Sequence, residues 1–249
     1  MYYFVSDVHL GSAVFGDPRE VERRFVAWLK SVETTAQTIF LCGDIFDFWF
    51  EYKRVVPKGF VRVLAQLAHL HDLGVRVVFM AGNHDMWIGD YLSLECGVEL
   101  YTRPHIFEVA GRRVHVAHGD NLNVGGDLTL RLMNGLFRSS AVRSLFSCLI
   151  HPDLAMKFGQ WWSGSSRKGH VDVVPDYEAA VGRLVDWVGG QHVTAQCDYY
   201  LFGHLHTMRR ESNSEQGYEV VFINDWMRGE PHCAVIDEGG ELRVEKIEL

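Results

Sequence analysis

The feature that most constrains this chain is a set of seven metal-type side chains in five short clusters, each sitting where a strand is expected to end. They are Asp7 and His9 in S-D-V-H-L-G, Asp44 in G-D-I-F-D-F-W, Asn83 in G-N-H-D, His118 in H-G-D-N, and His204 and His206 in G-H-L-H. Imidazole and carboxylate ligands suit borderline and hard divalent metals. One metal needs only a few ligands, so this number points to two metals sharing a carboxylate. Such a pair clamps the attacking and leaving oxygens of a phosphoryl displacement. The clusters imply hydrolysis of a phosphate ester or anhydride.

The pattern around the clusters says how one fold could gather them. Strand-like stretches are expected at 2–6, 38–42, 75–80, 105–109, 113–117, 199–202, 219–223 and 233–237. A first helix is signalled by Asp17 as cap, Pro18 in the first turn and Glu20 completing a capping box; Phe25, Trp28 and Leu29 then form its apolar face. A second helix is expected over 58–73, stopping at Gly74, and a third from Pro175 to Val188, ending at Gly189-Gly190. Strand–helix alternation followed by a strand-rich end suggests a layered α/β sandwich. Active sites of open α/β sheets gather at the carboxyl ends of strands, and Asp7 and His9, two residues apart, can face one side.

Length and composition bound the class. The 249 residues, 47% of them apolar, can bury a full core as one domain. The amino terminus reads as a first strand rather than a signal peptide. No uncharged apolar run reaches the roughly 18 residues that a membrane-spanning helix needs. The five cysteines, odd in number and scattered, suit reduced thiols in a cytosol. Net charge is −8, yet residues 128–171 carry +5 and the remainder −13. That asymmetry implies a local anion-binding surface and disfavours general nucleic-acid binding.

The ordered pattern D-x-H, G-D, G-N-H-D, H and G-H-x-H resembles the calcineurin-like metallophosphoesterase superfamily, over Asp7 to His206. The resemblance implies a four-layer α/β/β/α sandwich and a centre of two divalent metals, Mn²⁺ in type. It implies that Asp7, His9 and His206 hold one metal, that Asn83, His118 and His204 hold the other, and that Asp44 bridges them, with a metal-bridged hydroxide as nucleophile. His84 would stabilise the phosphorus or protonate the leaving oxygen, and Asp85 would hold its other ring nitrogen. Within the superfamily, G-D-I-F-D-F-W, H-G-D-N-L and a helical insertion between the fourth and fifth clusters are similar to the UDP-2,3-diacylglucosamine diphosphatase family of lipid A synthesis. The best-known branch of that family has arginine in place of His84. Substrate contacts implied by the resemblance are Asn83, His84, His204, Asp127, Ser163, Ser166, Arg167 and Lys168.

The insertion, about 128–170, mixes basic residues with large apolar ones such as Leu145, Phe146, Leu149, Phe158 and Trp161. An amphipathic basic element suits an anionic lipid or a membrane surface. It is therefore expected to act as a lid over a nucleotide-linked diacylated glucosamine, with the protein cytoplasmic and peripheral on the inner membrane. Two rivals stay open: a broader di-metal phosphodiesterase or phosphatase, and a metal-free interaction scaffold.

Overall fold

A computed structural model describes residues 1–13, 16–120, 122, 139–172, 177–227 and 230–248. Two sheets form its centre. The first has the order β11-β10-β1-β2-β3-β4, with β1 (Tyr2–Val5), β2 (Thr38–Leu41), β3 (Arg76–Met80), β4 (Glu99–Tyr101), β10 (His232–Ile236) and β11 (Leu242–Lys246). The second runs β5-β6-β7-β9-β8, with β5 (His105–Val109), β6 (Arg112–Ala117), β7 (Tyr199–Phe202), β8 (Arg209–Asn213) and β9 (Tyr218–Phe222). In the first sheet β1, β2 and β3 run parallel; in the second β6, β7 and β9 do. Strand pairs of one direction end at one edge, and this is what collects the five clusters.

Side-chain alternation along the strands builds the layers. Tyr3, Val5, Ile39, Leu41, Val77 and Phe79 pack with residues of α1 (Pro18–Val32) and α2 (Val61–Asp72). Their neighbours Phe4, Phe40, Val78 and Met80 point the other way, against Val114, Val116, Leu201 and Val221 of the second sheet. Beyond it, Tyr200, Phe202, Val220 and Phe222 meet Val181, Leu184 and Val188 of a long helix, Tyr177–Ala195. The architecture is the four-layer α/β/β/α sandwich.

α1 begins as its sequence predicts: Asp17 accepts from the Arg19 amide at 3.0 Å, and Phe25, Trp28 and Leu29 are buried. α2 is shorter than expected, starting at Val61 behind a left-handed Phe60. A short α3 (Tyr91–Cys96) precedes β4. In the insertion, α4 (Ser140–Leu149) and α5 (Pro152–Asp172) are helical, whereas 123–138 lie outside the described residues. α6 (Tyr177–Ala195) runs through Gly189 and Gly190 instead of stopping there. Burial of its apolar face offsets the roughly 1 kcal/mol that each helical glycine costs, and His192 Nδ1 ties its last turn to Tyr200 Oη at 3.0 Å. Among the described residues all five cysteines are free thiols, and no helix is long and apolar enough to cross a membrane.

Candidate metal centre

Every expected ligand lies one to four residues past a parallel strand: Asp7 and His9 past β1, Asp44 past β2, Asn83 past β3, His118 past β6, His204 and His206 past β7. The two sheets are joined directly at this edge. The Asp7 amide donates to the Gly43 carbonyl at 3.1 Å, that of Gly203 to His118 at 3.0 Å, and the Asp7 carboxylate accepts from the His204 amide at 3.0 Å. Glycine is required where the loops touch. A Cβ on Gly82 would collide with the Asp44 carboxylate, and one on Gly203 with Ser6 and Asp7.

The side chains fall into overlapping groups: Asp7, His9 and His206; His9, Asp44 and His84; Asp44, His118 and His204. Asp44 stands between the outer two. Its Oδ2 is 3.2 Å from His118 Nε2 and 3.9 Å from both His9 Nε2 and His84 Nε2. Asn83 Oδ1 is 3.2 Å from His118 Nε2. Asp7, His9, Asp44 and His118 are buried, whereas Asn83, His84, His204 and His206 are half-buried and form the open side.

Outer partners decide which imidazole nitrogens face inward. The Cys42 carbonyl, which can only accept, lies 3.1 Å from His118 Nδ1. Asp225 Oδ2 lies 3.2 Å from His206 Nδ1, and Asp47 Oδ1 3.5 Å from His9 Nδ1. With the Nδ1 positions directed at acceptors, Nε2 of each ring is left to the centre. His9 Nε2 and His206 Nε2 then stand 3.2 Å apart beside Asp7, two lone pairs that need a cation between them. The donor set of imidazole, carboxylate and one amide fits a divalent metal.

The electrostatics agree. Burial pushes the Asp44 carboxyl up, but His118, His84 and His9 override it and hold Asp44 well below the usual carboxylate range. Burial alone would lower the His118 and His206 imidazoles; Asp44 in the first case and Asp7 with Asp225 in the second carry each to about 10. Burial, then the neighbouring His118, pushes His204 down to about 4. The pocket is a trap for positive charge.

Two expectations need correction. Asp85 does not hold the His84 ring: its carboxylate accepts from the backbone amides of Gly82, Ile45 and Phe46 at 2.7, 2.8 and 3.3 Å, stitching the second cluster to the third. Burial and then Asp44 raise it to about 7. The partner of His84 Nδ1 is the Asp47 carbonyl, at 2.9 Å. Ser163 does not face an open pocket either; it is 1% exposed and donates to Asp47 Oδ1 at 2.9 Å. Ser166, Arg167 and Lys168 lie on the α5 backbone with side chains outside the described set, and Asp127 lies outside the described residues. The sequence reading missed Asp225 and Asp47. The signal for Asp225 was present, since it is an acid just past β9, the third parallel strand of its sheet.

A family model described as calcineurin-like phosphoesterase matches residues 2–208. The chain belongs to this family. As a phosphoesterase it is a hydrolase, and divalent metals are the cofactors its ligand clusters fit. Among curated relatives, a UDP-2,3-diacylglucosamine hydrolase from Porphyromonas gingivalis is 34% identical over 99% of this chain and 97% of its own length. One of the same name from Haemophilus ducreyi is 23% identical over 96% of this chain and 97% of its own. Among solved structures, vacuolar protein sorting 29 from Cryptosporidium parvum covers 98% of this phosphoesterase and 95% of its own chain, with 11% identity and a TM-score of 0.45.

Proposed function

We propose that this phosphoesterase hydrolyses the diphosphate of UDP-2,3-diacylglucosamine in lipid A biosynthesis. Water adds at the α-phosphorus, and UMP and 2,3-diacylglucosamine 1-phosphate leave. The observation that carries this reading is the 34% identity, over essentially the whole chain, to a hydrolase named for that substrate.

In this reading Asp7, His9 and His206 hold one metal, Asn83, His118 and His204 the other, and Asp44 reaches both; Mn²⁺ is the native ion. When bound, the metals supply an activated water and neutralise charge on the phosphate. The protein's own groups do the rest. His84 gives Nδ1–H to the Asp47 carbonyl, so its Nε2 faces the centre, where it stabilises the phosphorus or serves the leaving oxygen. Asn83, His84 and His204 meet the substrate from the open side, joined by Asp127, Ser166, Arg167 and Lys168. The insertion, about 128–170, acts as a lid for the acyl chains. Leu145, Leu149, Leu154 and Trp161 on its helices are 59–71% exposed, which supports an apolar ligand or a lipid surface over them. The protein is then cytoplasmic and peripheral on the inner membrane.

The test is UMP release from UDP-2,3-diacylglucosamine with Mn²⁺, beside Asp44→Ala and a chelator. Wild-type turnover that both controls abolish supports the reading. Silence on this substrate, with metal-dependent cleavage of an aryl phosphodiester, keeps the phosphoesterase and removes the lipid A substrate.

A further inference from the structure

Among the described residues, the insertion meets the metal centre at the short segment Asp47-Phe48. On α5, Ser163 donates to Asp47 Oδ1 at 2.9 Å, and a Cβ on Gly159 would run into the Phe48 ring. One turn apart on the helix, these two residues lay α5 flush on Asp47-Phe48. The seat is widened by Tyr52 Oη donating to the Ile150 carbonyl at 2.8 Å, Arg143 donating to the Ile88 carbonyl at 3.1 Å, and Phe146 packing on Phe50 and Trp87 at 5.2 and 5.1 Å. Asp47 in turn reaches two residues of the centre. Its carboxylate faces His9 Nδ1 at 3.5 Å and its carbonyl accepts from His84 Nδ1 at 2.9 Å.

We propose that Asp47 is a positioning residue through which the seat of the insertion helix sets the orientation of His9 and His84. The lid then serves as part of the outer shell of the metal centre as well as a cover for substrate. The hydroxyl of Ser163 fixes the carboxylate that orients His9, and Gly159 fixes the height of the backbone that orients His84. Carboxylates behind ligating imidazoles tune metal affinity, so the position of the helix is felt by the metal. This inference rests on the metal-centre part of the proposed function and not on its lipid substrate.

The experiment uses the full chain, stripped of metal, titrated calorimetrically with Mn²⁺ alone, and assayed on a small aryl phosphodiester. Asp47→Ala is expected to weaken Mn²⁺ binding about tenfold or more, in the range found for outer partners of metal ligands, and Ser163→Ala to weaken it by a smaller factor. In the Asp47→Ala background the Ser163→Ala effect on Mn²⁺ binding should vanish, since the proposed route from the helix to the metal runs through that carboxylate. Gly159→Ala, which leaves all polar groups in place, should lower kcat on the small ester by lifting the segment that holds His84. Should Asp47→Ala not fold, Asp47→Asn with Gly159→Ala carries the test. Equal effects of Ser163→Ala in both backgrounds, or wild-type Mn²⁺ affinity and kcat in Ser163→Ala and Gly159→Ala, overturn the coupling alone. A wild-type chain that takes up no Mn²⁺ overturns the metal-centre reading and this proposal together.

Discussion

Among the described residues, eight non-glycine residues have a left-handed backbone, and five of them are Asp7, His9, Asp44, His204 and His206. L-residues adopt this region only when their surroundings over-determine it. Here the surroundings are backbone bonds between clusters, such as His9 N–H to the Asp44 carbonyl at 3.0 Å. The loops turn side chains inward at the expense of local strain. The outer carboxylates matter at the same scale. Asp225 is 3% exposed, accepts from the Met227 amide at 2.8 Å through one oxygen and faces His206 with the other. Asp225→Asn keeps the shape and removes the charge, so metal affinity should fall about 10–100-fold with the fold intact. Metal content after dialysis and the circular dichroism spectrum check this together; full metal retention would remove Asp225 from the centre.

At the scale of elements, β6 positions two histidines with opposite duties, one within the strand and one just past its end. His118 follows it into the centre, whereas His115 points to the outer face and packs on Trp187, Tyr200 and Phe202 at 5.5–5.8 Å. Burial pushes the His115 imidazole down to about 4. Between that value and the ordinary value near 6.5 the unfolded chain binds a proton that the folded chain refuses, so stability rises with pH across this window and is lost on acidification. From pH 7 to pH 5 the loss due to this residue should be roughly 1–2 kcal/mol. Urea unfolding of wild type and His115→Phe at both pH values isolates it: the two should diverge at pH 7 and 5 by different amounts, and a constant difference would show that His115 does not titrate. The same scale explains the strands that pattern did not reveal. β8 reads R-R-E-S-N and β11 reads L-R-V-E-K, edge strands held by ladder bonds and by pairs such as Arg210–Glu219 at 2.6 Å rather than by apolar alternation.

For the whole molecule, charge and apolar surface are segregated: an acidic scaffold holds the site, and a basic, apolar insertion sits beside it. If that insertion meets an anionic membrane, low-salt fractionation should leave a good share of the protein with membranes and high salt should release it, because screening shortens the reach of surface charge. Protein that stays entirely in the soluble fraction at both salt concentrations would sink the peripheral association. Replacing Leu149 and Trp161 by serine should weaken the low-salt association without changing cleavage of a small ester, since both side chains point to solvent.

Most of the strands, the first helix and the seven candidate ligands that the fold brings together were legible in the sequence, because alternation, capping and short ligand spacings are local properties that hold wherever the chain goes. What only the tertiary structure decided is everything that depends on two distant segments meeting. Nothing near Asp47 in the sequence announces that its carbonyl will hold His84, or that Ser163, 116 residues away, will donate to its carboxylate. Nothing near Asp85 announces that loops from two strands will converge on it and leave His84 to another partner. The helix α6 passes two glycines for the same reason, since its stability comes from the sheet beneath it. Local codes set which groups the chain possesses; packing of the two sheets set which of them face one another.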